Sequence, residues 1–168
     1  MATDKCITIP LTKGYTTVID EVDGDLAQYK WCTSLMNGYR PYAARHIRDA
    51  AKKYPLVFIH RIVLERILER PLTKGEYPDH MDNDPLNNRR NNLRLASKSQ
   101  NQMNHALRKD NTTGYKGVVY HRNANRWTAE IQVNKKKIYL GCFKSPELAY
   151  EAYCKAAKEY HGEFARLE

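Results

Sequence analysis

Asp79-His80-Met81-Asp82-Asn83-Asp84-Pro85-Leu86-Asn87-Asn88-Arg89-Arg90-Asn91-Asn92-Leu93-Arg94-Leu95 is the stretch on which the reading of this chain turns. An Asp-His pair leads into a run of Asn, Asp and Pro, and the run leads into an apolar and basic segment. Tyr77-Pro78-Asp79-His80-Met81 reads as a short strand, 82–92 as a loop saturated with turn formers, and Leu93-Arg94-Leu95-Ala96 as a second strand. Ser97-Lys98-Ser99-Gln100 matches a capping box, which predicts a helix over about 98–108. Asn101 and His105, four apart, share one face of that helix.

Upstream, residues 5–48 alternate turn signals with β-prone runs: Ile7-Thr8-Ile9, residues 15–19, Trp31-Cys32-Thr33 and residues 39–45. Asn37-Gly38 is a hairpin turn between the last two. Residues 20–25 form an acidic turn, and residues 25–30 fit a single helical turn. Leu56-Val57-Phe58-Ile59 reads as a buried strand, followed by a helix over 60–68 that Pro71 terminates. His60, at that junction, fits a hydrogen-bonded core histidine better than a catalytic one.

Downstream, residues 109–113 are polar and turn-rich and mark a boundary. Three strands follow, over 115–121, 127–133 and 138–143. Ser145-Pro146-Glu147 opens a helix, with Ser145 as N-cap and Pro146 in the first turn. Leu148, Ala149, Ala152, Tyr153, Ala156, Ala157 and Tyr160 form its apolar stripe, and Gly162 stops it. Trp127, Ala129, Ile131 and Val133 alternate with Thr128, Glu130 and Gln132, so one face of the sheet meets the helix and the other stays free.

Charge sorts the same way. Residues 112–146 carry seven Lys or Arg against one acid, Glu130, whereas residues 147–168 carry three bases against five acids. Positive potential therefore belongs to the sheet, Arg122 and Arg126 included, and the helix backs it. A cationic ribbon of this kind suits a DNA major groove. The whole chain of 168 residues has a net charge of +9, which points to a polyanionic partner. Nucleic acid is favoured over membrane, because no apolar stretch approaches the roughly 18 residues of a spanning helix. The four cysteines are scattered without a Cys-x-x-Cys pair, so they predict reduced thiols and no zinc site. Met1-Ala2-Thr3-Asp4-Lys5 lacks a secretory pattern, which places the chain in the cytosol of the cell that makes it.

The central stretch carries groups suited to phosphodiester chemistry. Asp79 offers an anionic oxygen and Asn101 a carbonyl oxygen to a hard divalent cation, with Mg favoured and Mn as substitute. His80, neutral for most of its time near pH 7, can take a proton from water, and the Asn92 amide can orient it. Asp79 and His80 are strand neighbours, so serving one site requires the strand to twist or end there. Composition alone also fits a plain Asn-rich loop. A calcium loop fails for want of its Gly and distal Glu, and no deaminase, His-Glu-x-x-His or P-loop signature is complete.

The residues Asp79-His80, Asp84-Pro85-Leu86-Asn87-Asn88, Asn91-Asn92-Leu93-Arg94 and Asn101, with His60 to Val63 upstream, closely resemble the HNH motif of phage homing endonucleases, a ββα-metal fold. The resemblance spans residues 56–108. It implies that Asp79 and Asn101 bind metal, His80 is the general base and Asn92 positions it, with His105 and Arg94 as auxiliary candidates. Many relatives have His where this chain has Asn101. Gly114-Tyr115-Lys116-Gly117-Val118, residues 127–131, residues 139–143 and residues 149–153 resemble an AP2 DNA-binding domain. That family's DNA contacts fall here on Lys116, Gly117, Val119, His121, Glu130, Gln132, Lys137 and Tyr139. Several family arginines are replaced, so the plant target sequence does not carry over. Residues 1–55 resemble, more weakly, the β-rich segment that precedes such motifs.

The expectation is an α+β chain. Residues 1–108 form a nuclease domain, with a β-rich part over 1–55 and a ββα-metal part over 56–108, residues 109–113 are a linker, and residues 114–168 are an AP2-like three-stranded sheet backed by one helix. Its function is site-specific, metal-dependent cleavage of double-stranded DNA by a homing endonuclease acting as a monomer without an obligate protein partner. The competing readings are a DNA-binding regulator with a decayed nuclease and a structural RNA-binding protein.

Overall fold

The structure is a computed structural model that describes residues 5–36, 38–48, 53–104, 107, 111–133 and 136–167. Asn37 and His105, and the last residue of the helix expected over 98–108, lie outside the described residues. Backbone contacts divide the chain into two compact units, residues 1–97 and 98–168.

The first unit is built from short antiparallel pairs. Strands β1 (Cys6–Pro10) and β2 (Thr16–Asp20) form a hairpin, and β3 (Cys32–Met36), β4 (Arg40–His46) and β5 (Leu56–Phe58) form a three-stranded sheet in the order β3-β4-β5. Between them the acidic turn is longer than the single helical turn the sequence suggests, a 3₁₀ segment over Glu21–Gln28. Helix α1 (Ile59–Leu68) begins at Ile59, which the sequence places in the preceding strand. It ends ahead of Pro71, because Glu69 turns left-handed (φ 54°) while the Arg70 amide bonds back to the Glu65 carbonyl at 3.2 Å. Residues 76–97 then form a ribbon of β6 (Glu76–His80) and β7 (Leu93–Ser97) joined by the Asn-rich loop. Ile9, Ile19, Leu26, Trp31, Ala43, Ile59, Val63 and Leu93 converge in one core, so hairpin, sheet, helix and ribbon share a single hydrophobic centre.

The second unit opens with helix α2 (Lys98–Met103), at the position the capping box predicts. Because α2 shares contacts with this unit, the division falls at Ser97 and Lys98, ahead of the compositional boundary at 109–113. Strands β8 (Val118–His121), β9 (Arg126–Val133) and β10 (Lys136–Phe143) pair antiparallel in the order β10-β9-β8. Helix α3 (Pro146–His161) backs them, capped by the Ser145 hydroxyl, which accepts from the Leu148 amide at 3.3 Å. The predicted alternation holds: Ala129 and Ile131 are buried with Val118 against Ala149, Tyr153, Ala156 and Ala157 of α3. Register shifts between Tyr139 and Gly141, an irregularity of the β-bulge kind that lets Tyr139 face away from α3 while Phe143 packs toward it. The chain is thus α+β with a C-terminal three-stranded antiparallel sheet backed by a helix.

Candidate active site and nucleic-acid face

The ribbon presents Asp79 and His80 at its loop end, where β6 stops at His80. Both side chains are buried, Asp79 at 3% and His80 at 8% exposure. Asp79 lies in register with Arg94 across the ribbon, and its Oδ2 accepts from Arg94 Nε at 2.8 Å. This ion pair is itself inside the protein, so Arg94 acts as the counter-charge of the carboxylate. A carboxylate has two oxygens and about four lone-pair sites, so the Arg94 bond at Oδ2 does not by itself bar a cation. Asp79 and Asn101 each carry a hard oxygen donor, the kind that magnesium or manganese accepts. Asn101 sits in α2, in the second unit. Among the described residues no three His, Cys, Asp or Glu gather as a metal cluster.

His80 is enclosed by rings. His60 meets it edge-on with centroids 5.3 Å apart, and Tyr42 lies 6.3 Å away at a tilt. His60 itself stacks on Phe58 at 5.4 Å. Burial, with smaller contributions from His80 and Arg61, presses the His60 imidazole down to a pKa of about 3, so it stays neutral. Burial also lowers the pKa of His80, against the opposing pull of Asn88 and of Asp82, Asp79 and Asp84. A neutral imidazole at pH 7 is the form that can accept a proton.

Asn88, to which the sequence alone assigns no separate role, is a polar partner of that imidazole. His80 Nε2 lies 3.1 Å from Asn88 Oδ1, and Asn88 is buried at 1% exposure. Asn92 instead knits the loop: its Oδ1 accepts from the Asp82 amide at 3.1 Å, and its Nδ2 donates to Asp82 Oδ1 at 2.9 Å and to the Asn87 carbonyl at 2.8 Å. Asp82 and Asp84 each accept an amide two residues on, at 2.8 and 2.9 Å, which gives the loop successive Asx turns. The loop is then held from outside by β2. The Val18 amide bonds to the Leu86 carbonyl at 2.9 Å, and the Asn88 amide to the Val18 carbonyl at 2.8 Å. The signal available in the sequence was the β-prone Thr16-Thr17-Val18-Ile19, which says nothing about a partner some seventy residues away.

On the second unit the open face of the sheet gathers most of the expected contact residues. Register sets Val119 opposite Thr128, His121 opposite Arg126, Glu130 opposite Tyr139 and Gln132 opposite Lys137, all on the side away from α3. Val119 and Tyr139 are exposed at 47% and 61%. His121 Nε2 approaches Thr128 Oγ1 at 3.0 Å, and Lys137 Nζ donates to Glu130 Oε2 at 3.2 Å. Arg122 and Arg126 are exposed at the β8-β9 turn. Two positions behave differently. The Gly117 backbone is pressed against Tyr153 and the Glu130 carbonyl, leaving no room for a Cβ at its φ of 73°. The Lys116 ammonium turns inward and donates to the Met103 carbonyl at 2.9 Å and the Arg166 carbonyl at 3.4 Å, and burial pushes its pKa down to about 8.

Comparison with known proteins places these two sites in families. A family model described as HNH endonuclease matches residues 57–103, and one described as AP2 domain matches residues 113–163. The chain is 34% identical over 97 residues to protein 3.8 of Escherichia phage T7, a match covering 58% of this chain and 79% of that protein. It is 33% identical over 136 residues to an uncharacterized HNH endonuclease of Acanthamoeba polyphaga mimivirus, covering 81% of this chain and 69% of the viral one. Over 55 residues it is 42% identical to an ethylene-responsive transcription factor of Arabidopsis thaliana, covering 32% of this chain and 30% of the plant protein. Both resemblances read from the sequence are borne out, and the chain belongs to the HNH endonuclease family and carries an AP2 domain in its C-terminal part.

Proposed function

We propose that this protein is a site-specific DNA endonuclease that hydrolyses phosphodiester bonds with a divalent metal, and that it works as a homing endonuclease of phage type. The observation that carries the reading is the His80 imidazole, kept neutral by burial and held by Asn88 beside the Asp79 carboxylate. His80 takes the proton of the attacking water, and Asn92 supports it by bracing the loop. A divalent cation, magnesium first and manganese in its place, would supply positive charge for the phosphoryl oxygens, with Asp79 and Asn101 as its protein ligands. Arg94 keeps Asp79 in place. His105, four residues beyond Asn101 in the sequence, serves as a further contact.

The AP2 face supplies the address. Val119, His121, Glu130, Gln132, Lys137 and Tyr139 face the duplex, and Arg122 and Arg126 hold phosphates. In functional terms the nuclease half runs over 1–108 and the gripping half over 114–168, joined by 109–113. Among the described residues no helix is long and apolar enough to cross a membrane. The protein acts on double-stranded DNA inside the cell that makes it, as a monomer.

A second reading has one observation in its favour. The Asp79–Arg94 ion pair resembles a carboxylate retired from metal binding, which would make the chain a DNA-binding regulator. Incubation of purified protein with supercoiled plasmid and magnesium or manganese separates the two. The endonuclease nicks or cuts the plasmid, and His80→Ala lowers the rate by about 10²–10⁴-fold with DNA affinity unchanged. Tight binding with no cleavage on any substrate, in either metal, would favour the regulator.

A further inference from the structure

The buried polar path that ends at His80 begins outside the matched HNH segment, on β2. Asn88 Nδ2 lies 2.6 Å from Thr17 Oγ1, and Thr17 Oγ1 lies 2.7 Å from the Leu86 carbonyl oxygen. Thr17 is fully buried and Asn88 nearly so. The direction of every bond along this path follows from one short distance. Two oxygens 2.7 Å apart need a proton between them, and a carbonyl has none, so the Thr17 hydroxyl donates to Leu86. Having spent its proton, Thr17 can only accept from Asn88. The atom of Asn88 that faces Thr17 is therefore the NH₂ group.

A second acceptor agrees: the Pro85 carbonyl sits 3.5 Å from the same Asn88 nitrogen. The amide thus cannot turn over without facing oxygen to oxygen on two sides. Its Oδ1 must face His80, so the imidazole donates from Nε2, and in the neutral ring the lone pair is then on Nδ1. We propose that Thr17 is a positioning residue for His80: through Asn88 it fixes the Nε2–H tautomer and so makes Nδ1 the basic atom. The inference rests on His80 as the general base. It also gives the N-terminal hairpin a task in catalysis, since β2 carries both Thr17 and the backbone groups of Val18 that clasp the loop.

The test starts on the wild-type chain with ¹⁵N-labelled histidine, recorded near pH 8. The two ring nitrogens of His80 should resonate as a protonated Nε2 and an unprotonated Nδ1; the reverse pattern would overturn the proposal without any variant. Thr17→Val keeps the shape of the side chain and removes the hydroxyl, so Asn88 loses the acceptor that holds its orientation. A mixed tautomer signal is expected, with kcat for plasmid nicking lower by about tenfold and KM for DNA unchanged. The roughly 10⁴-fold loss seen when an orienting carboxylate is removed from a catalytic histidine marks the upper limit. Thr17→Ser, which keeps the proton, should restore both the single tautomer and the rate. If Thr17→Val keeps a pure Nε2–H signal and full kcat, the relay does not act on His80. If the wild type shows the expected tautomer yet cuts no DNA, the endonuclease reading fails while the relay stands.

Discussion

Each of the two units has an apolar core, and they differ in how many polar groups they bury beside it. In the second, Ala129, Ile131, Ala149, Tyr153, Ala156 and Ala157 meet across a sheet and a helix, and apolar area removed from water supplies the order. In the first, the buried residues also include Thr17, Asp23, Asn88, Asp79 and Asn92, each held by hydrogen bonds, and Thr17, Asp23 and Asn88 reach partners far along the chain. Asp23 accepts from Arg66 at 3.0 Å and from Arg90 at 2.8 Å, while Asp20 accepts from Arg89 at 2.9 Å and from the Arg90 amide at 2.7 Å. Apolar packing tolerates small shifts, whereas hydrogen bonds fix directions. A centre that must aim one imidazole nitrogen accordingly lies among the buried polar groups of the first unit, and the open sheet face of the second rests on its apolar core.

The contrast breaks most visibly at Asp23. Asp23→Ala leaves two guanidiniums facing each other beside a buried void, and removing one member of a buried pair costs about 3–5 kcal/mol. Arg66 and Arg90 retain 34% and 35% exposure and can be partly rehydrated, so a loss near the low end, about 3 kcal/mol, is expected in urea unfolding of the first unit. Acid should mimic the variant. Burial pushes the Asp23 carboxyl up, but the hydrogen bonds and charges of Arg90 and Arg66 outweigh it, and its pKa ends below the ordinary value. A carboxylate with a depressed folded pKa contributes its stability above about pH 4 and loses it as pH falls further. Segment-resolved hydrogen exchange at pH 3 should find the first unit losing protection that the second keeps; equal loss in both would remove Asp23 as the anchor.

How much of this was legible follows from the same contrast. The alternation of β9, the Ser145 cap, the strand-loop-strand of residues 76–97 and the start of α2 are all set by neighbours within a few positions, and each is readable from spacing. Asp79 and His80 were also legible as candidates, because their chemistry is visible in isolation. The partners were not. Thr17 and Asn88 are 71 positions apart, and a single polar contact over that distance leaves no period in the sequence. Asn88 stands in a run of asparagines, and only the folded loop tells which amide faces the imidazole and which faces Asp82. Lys116 is hard to read for a related reason: its place in the AP2 pattern implies DNA, while its ammonium meets two carbonyls that local sequence does not reveal.

A smaller effect sharpens the reading of the second unit. Ser145→Ala removes the acceptor for the Leu148 amide at the start of α3 and should cost about 1 kcal/mol in thermal or urea unfolding. The loss should appear in the second unit, since α3 packs on the sheet of that unit's core. A cost of this size at one exposed cap, against about three times as much at Asp23, would reflect a unit whose order is spread over many apolar contacts.

The finest distinction lies between two lysines that the AP2 pattern treats alike. Lys137 is 76% exposed on the open face, paired with the partly buried Glu130, and can exchange that partner for a phosphate. Lys116 already spends its charge on the Met103 and Arg166 carbonyls. Its cation sits beside the last carbonyls of α2, where a helix end favours positive charge. Each phosphate contact releases counterions, so log Kd varies with log salt with a slope of about 0.9 per contact on duplex DNA. Lys137→Met should therefore lower the slope by about 0.9 and weaken binding uniformly across sequences. Lys116→Met should leave the slope where it was and act on the fold, loosening α2 and the C-terminal tail toward faster amide exchange. If both variants lower the slope equally, Lys116 leaves its carbonyls when DNA arrives, and the inward ammonium describes only the unbound protein.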